Sequence, residues 1–198
     1  MKNKWDDVTL DEFIELAKIE VDAELLAMPL KRAKLRIMVL SDMKEEELEN
    51  LTGSEFGNLI TEVKFTDDEP EFDQLETFKI GEVEYGYRGS GELSTGEYIS
   101  VELAIADARR TKTSALPDLL GVLIRPVERV HDPEFGEKIV VEKFITKKHK
   151  PRVAKFRKEL TVPFFINALT RIMGGENGIK QAIASYMNTD STTSQGKK

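Results

Sequence analysis

The sequence predicts an α+β fold, mainly helical, with a small antiparallel β-hairpin element. Three observations carry this reading. Apolar residues recur at three- and four-residue spacing over most of the chain, in segments that open at Ser, Thr or Pro and close at Gly or Pro. One stretch, Thr77–Tyr87, instead alternates with period two around Gly81-Glu82, the pattern of two strands and a tight turn. Of 198 residues 40% are apolar, enough for a core, yet the longest unbroken apolar runs, as at 119–124, are about six residues, far short of the ~20 that span a bilayer.

Taken in order, Trp5-Asp6-Asp7 leads into Thr9-Leu10-Asp11-Glu12, a capping-box spacing, and a first helix from Leu10 to about Val21 carries an apolar stripe of Leu10, Phe13, Ile14 and Ala17. Trp5 is placed to pack back on it as an anchor. Pro29 opens a second helix in which Leu30, Ala33, Ile37 and Leu40 alternate with Lys31, Arg32, Lys34 and Arg36, so a basic outer face is expected. A short third helix covers Glu45–Leu51, capped by Ser41 or Asp42. Thr52-Gly53-Ser54 starts a fourth with Phe56, Leu59, Ile60 and Val63 on one side.

From Thr66 to Gln74 the chain is acidic, holds Pro70 and has no helical period, which marks an exposed connector. The hairpin follows, with Gly81 first in a two-residue loop that suits a type II′ turn. After the flexible bend Arg88-Gly89-Ser90-Gly91 comes the expected centre of the molecule, a helix–turn–helix over Thr95–Pro126. Its first helix, capped by Ser94 or Thr95, presents Tyr98, Ile99, Val101, Leu103, Ile105 and Ala106. Its second presents Leu116, Leu119, Leu120, Leu123 and Ile124, closed by Arg125-Pro126. Residues 127–136 are polar and turn-rich, Lys138–Ile145 reads as a further strand or arm, and a basic helix begins near Pro151 with Val153, Ala154 and Phe156 as its apolar positions. Thr161 and Pro163 start a helix with a wide apolar face (Phe164, Phe165, Ala168, Leu169, Ile172, Met173), Gly174-Gly175 ends it, and a last helix spans about Asn177 to Met187. The expected organisation is a helical region (1–65), an acidic connector (66–76), a hairpin with a helical core (77–187) and a disordered polar tail (188–198).

The formal charge of -7 hides an asymmetry. Residues 1–100 carry 25 Asp and Glu against 11 Lys and Arg, whereas residues 101–198 carry 18 Lys and Arg against 11 Asp and Glu. The extremes are local: Asp67, Asp68, Glu69, Glu71, Asp73 and Glu76 in one stretch without a base, and Lys143, Lys147, Lys148, Lys150, Arg152, Lys155, Arg157 and Lys158 in another without an acid. Such runs are ordinarily solvated faces; the alternative is that they meet oppositely charged partners, including each other across a subunit interface. The second run, interleaved with Phe144 and Phe156, is also the best candidate for nucleic-acid contact, since cations neutralise phosphates and aromatics stack on bases.

Reaction chemistry is scarce. With no cysteine there is no disulfide framework and no thiolate metal site, and the chain reads as soluble and not exported through the general secretory route. The two histidines, His131 and His149, lack partners at metal-binding spacing and are expected on solvent-exposed loops. Neither glycine cluster, 86–91 or 174–178, has the spacing of a dinucleotide or phosphate loop. No catalytic, cofactor or metal residue is assigned, and no enzyme is expected.

A wider pattern remains: Trp5-Asp6-Asp7-Val8-Thr9-Leu10-Asp11-Glu12-Phe13, the hairpin, Gly96-Glu97-Tyr98-Ile99, Leu116-Pro117-Asp118-Leu119-Leu120, Arg125-Pro126 and Val162-Pro163-Phe164-Phe165. In order and character, over most of Trp5 to Met173, this resembles small virion or tail-assembly proteins of tailed bacteriophages, including the crAss-like phages. The resemblance implies a non-enzymatic protein of the neck or tail, or a chaperone of tail assembly, in the virion or the host cytoplasm. Its partners would be other phage virion or tail proteins, with a homo-oligomeric ring as one form. It carries over no catalytic residue. The competing expectation is a nucleic-acid-binding accessory protein using residues 143–158.

Overall fold

The computed structural model describes residues 1–70, 75–88, 93–111 and 113–173, and it is α+β, mainly helical, with one small antiparallel sheet of four strands. The described chain forms two compact units, one holding residues 1–70 and Thr161–Pro163, the other residues 75–160 and 164–173. The expected last helix and polar tail lie outside the described residues, as do Glu71, Asp73 and the bend at 89–91.

The first unit is helical. Thr9 caps α1 (Leu10–Val21) through the reciprocal box with Glu12, and α2 (Ala23–Leu26) is capped by the Asp22 carboxylate. Next come α3 (Pro29–Ser41), α4 (Glu45–Glu49) and α5 (Gly53–Glu62), the last opened by a Thr52–Glu55 box, and a 3-10 turn at Val63–Asp67 that takes up the start of the expected connector. The apolar interior includes Val8, Leu10, Leu16, Ile19, Ile37, Leu40 and Val63. Val162 donates its N–H to the Val8 carbonyl at 3.0 Å, stitching residues 161–163 to the segment before α1. Trp5 anchors as expected, edge-on to Phe13 and Phe65 with its indole N–H donating to the Asp68 carbonyl. Two expectations change. Phe13, Ile14 and Ala17 are only half-buried, and the buried side of α1 runs Leu10, Leu16, Ile19. On α3, Arg36 belongs to the inner side: its Nε donates to Glu20 at 2.7 Å and its Nη1 to Asp67 at 2.7 Å, because a guanidinium enters a protein only when its donors find carboxylates.

The second unit is a sheet in the order β1-β2-β3-β4 with helices: β1 (Thr77–Ile80), β2 (Val83–Tyr87), α6 (Thr95–Thr111), α7 (Leu116–Leu123), β3 (Ile124–Asp132), β4 (Gly136–Val141), α8 (Thr146–Glu159) and α9 (Val162–Met173), whose residues from Phe164 on belong here. The first hairpin has the expected register, Ile80 opposite Val83, and positive φ (+60°) at Gly81 with none at Glu82, as a type II′ turn requires. Its inner face joins the core: Phe78 stacks on Phe164 at 4.7 Å, and Tyr85 meets Phe156 edge-on. Leu120, Val122, Ile124, Phe156, Leu160, Phe165 and Ala168 are sealed from water. Gly121 lets α7 and α8 close on each other, since a Cβ there would stand 2.6 Å from the Val153 methyl and 3.1 Å from the His149 ring.

Several expectations are corrected in this unit. Ile124 opens a strand rather than closing a helix, and residues 127–132 continue that strand in antiparallel register with β4. Beyond Pro126 the β3–β4 ribbon has water on both faces, so no alternating apolar side announces it. Phe144 and Ile145 follow the strand rather than belonging to it. The basic helix starts at Thr146, with Pro151 inside it. Ser94, not Thr95, caps α6.

Candidate functional site

The basic segment is laid on α8, and helical spacing sorts its charges. Positions 149, 152, 153 and 156 face inward, while Lys147, Lys150, Ala154 and Lys158 share the exposed side, with Lys143 exposed just before the helix. Lys148 is exposed and paired with Glu142. The remaining predicted contact residues are not surface cations. Arg152 is 6% exposed; its Nη1 donates to the carbonyls of Gly121 at 2.9 Å and Ile124 at 3.5 Å, and its Nη2 lies 3.7 Å from Glu142. Lys155, half-buried, donates to the Ile80 carbonyl and sits 5.8 Å over the Tyr85 ring; Arg157 is half-buried. Phe156 is fully buried, which removes it as a base-stacking platform. His149 is buried as well, one ring nitrogen 2.9 Å from the Asp118 carbonyl, and His131 is exposed on β3; neither is on a loop.

Of the acidic run, Asp67 is committed to Arg36, while Asp68 and Glu69 are exposed in the first unit. Glu71 and Asp73 lie outside the described residues.

A buried charge network in the second unit was not anticipated. Glu97, 3% exposed, accepts from Arg88 Nε at 3.0 Å, faces Arg125 Nη2 at 3.1 Å and takes the Ser94 N–H at 2.7 Å. Burial by itself would raise its pKa, but the Ser94 and Arg88 hydrogen bonds and the Arg125 charge outweigh it and hold the carboxyl below the ordinary range. For Arg125 and Arg152 burial dominates and lowers the pKa, though a guanidinium stays protonated. The network therefore ties the β2 end, α6, α7, α8 and β3 together through buried charges. The Ser94-x-x-Glu97 spacing was its one sequence signal.

Because Glu97 and Ser100 turn inward, α6 turns apolar residues outward: Tyr98 is 54%, Ile99 49% and Leu103 64% exposed, reversing the expected face. Two open grooves lie in the first unit, of about 360 Å³ over Ile19, Leu25 and Leu35 and about 400 Å³ beside Leu30 and Phe56. Among the described residues no three His, Asp or Glu side chains gather as a metal could use, and no helix is long and apolar enough to cross a membrane. The chain matches no protein-family model, and no curated protein and no solved structure is detectably similar to it.

Proposed function

We propose that this chain is a non-enzymatic bacteriophage structural or assembly protein that acts through protein–protein contacts, in the neck or tail or as a tail-assembly chaperone. The observation that carries the reading is the outward apolar side of α6, with Tyr98, Ile99 and Leu103 in water on a helix whose inner side is fixed by buried ion pairs. Exposed apolar side chains on a rigid element are what a docking partner covers. The lysine side of α8 adds a basic surface for an acidic partner, which in a ring would be the exposed Asp68 and Glu69 of a neighbouring copy.

The nucleic-acid alternative keeps the lysines at 143, 147, 150 and 158 but loses Arg152 to the interior and Phe156 to the core, so only a weak, sequence-indifferent phosphate contact is left to it. Mass spectrometry of purified particles of the encoding phage tests the reading. Stoichiometric presence makes the chain a virion component, and abundant expression with pull-down of tail proteins but absence from particles makes it a chaperone. Association with no phage protein overturns both.

A further inference from the structure

Strand β4 closes one side of the sheet, and its register with β3 fixes which of its backbone groups point outward. Glu142 donates its N–H to the Pro126 carbonyl at 2.8 Å, in register with Val127 opposite Val141. In an antiparallel ladder hydrogen-bonding pairs alternate, so residues 136, 138, 140 and 142 direct their backbone groups toward β3, and Glu137, Ile139, Val141 and Lys143 direct theirs away from it. Strand β4 is the last in the sheet, and among the described residues no strand pairs with that outer side. It is an open edge, with apolar Ile139-Val140-Val141 at its middle, charged residues on either side and no proline within it.

The residues flanking that middle are self-complementary. Read outward from Val140, the segment Glu137-Lys138-Ile139-Val140-Val141-Glu142-Lys143 places Lys138 against Glu142 and Glu137 against Lys143 when a second copy runs antiparallel with Val140 opposite Val140. The same register sets Ile139 opposite Val141, two residues whose free backbone groups both point outward, so the hydrogen-bond parity and the charge pattern select one alignment. A relative slip of two residues keeps the hydrogen-bond parity but sets Ile139 opposite Ile139, or Val141 opposite Val141, and loses both opposite-charge pairs, while a slip of four sets Lys138 opposite Lys138, or Glu142 opposite Glu142, which are like-charge pairs. Glu137 and Lys143 are exposed, Glu137 with one oxygen 3.3 Å from Arg129 on the neighbouring strand, whereas the half-buried Glu142 faces both Lys148 and Arg152 of its own chain, so the more accessible Glu137–Lys143 pairs do most of the selecting.

We infer that two copies of this chain associate about a two-fold axis through Val140, joining their sheets edge to edge by antiparallel pairing of 137–143. This goes beyond the assembly reading and holds whatever α6 and α8 bind.

The chain has no cysteine, so a single introduced thiol reports the axis. Val140→Cys is expected to give a covalent dimer under mild oxidation, because opposed non-hydrogen-bonded residues lie about 4.5 Å apart between Cα atoms. Lys138→Cys is the control: its counterpart lies four residues away along the partner strand, and it should stay uncrosslinked. In sedimentation equilibrium of the full chain, Glu137→Lys and Lys143→Glu should each weaken dimerisation about tenfold and the double variant should restore it. A wild-type monomer throughout the accessible concentration range overturns the inference. So does a dimer in which Lys138→Cys crosslinks as readily as Val140→Cys, or in which the charge swap brings no recovery. Circular dichroism of each variant separates these results from unfolding, and none depends on a phage particle.

Discussion

Glu84 shows how one side chain sets an acid limit. On β2 it accepts from Arg129 at 2.7 Å and from the Thr77 hydroxyl at 2.6 Å, and these bonds, Arg129 first, lower its pKa from the ordinary 4.5 to about 2. A carboxyl whose folded pKa is depressed stabilises the fold fully above its unfolded value, and that contribution disappears as pH falls through the folded one. Thermal melts of Glu84→Gln against the parent should therefore differ at neutral pH, converge as pH drops from about 4.5 toward 2, and coincide below that. A difference independent of pH would mean that the ion pair contributes nothing. Arg152 makes the opposite point about reading charge from sequence. It sits in a run of lysines and carries the same charge, yet its guanidinium reaches two backbone carbonyls that α7 and β3 leave at the interior. Helical phase puts Arg152 on the side of Val153 and Phe156 and Lys150 on the other, but the carbonyls that make the burial of Arg152 tolerable come from residues some 30 positions away.

Elements were legible where one face alone meets water. The bounds of α1 and both strands of the first hairpin follow from caps and periods written in the chain, because those elements bury one side and their sequences alternate accordingly. Two readings fail for a physical reason, α6 in its buried face though not in its extent and the β3–β4 ribbon in its bounds. In α6 the apolar residues are scattered round the helix, and the inward side is chosen by Glu97 meeting Arg88 and Arg125, residues of other elements. In the β3–β4 ribbon both faces are wet, so there is no period to read. The two helices of the expected central pair consequently differ in weight. Leu120→Ala, at a fully buried site in α7, should cost about 2 to 5 kcal/mol, whereas Leu103→Ser on the outer side of α6 should stay within about 0.5 kcal/mol. Urea titration of both variants checks the assignment; a Leu103→Ser loss as large as that of Leu120→Ala would put α6 in the core after all.

The chain as a whole holds its excess of acid in the first hundred residues and its excess of base after them, and the contacts argued above differ in symmetry. Pairing of β4 is isologous, the same strand from both copies, and closes at two. A meeting of the α8 lysines with the exposed acids of another copy is heterologous and propagates until a rotation closes it. An assembly that uses both has dihedral symmetry, with dimers as its building unit. The two contacts draw on separate residues, so they come apart by mutation. Reversal of Lys147, Lys150 and Lys158 to Glu touches only exposed side chains and leaves Arg152, Phe156 and the β4 edge in place, so the fold and the dimer should survive while every larger species is lost. Exposed ion pairs contribute only about 0 to 1 kcal/mol each, so the reversal acts mainly by placing like charges together in a contact whose affinity comes from covered apolar surface. Native mass spectrometry across a salt series reads the outcome directly. Species larger than the dimer that persist in the reversed variant, or a parent protein whose larger species are indifferent to salt, would remove the lysine side of α8 from the assembly and leave the outer side of α6 as its docking surface.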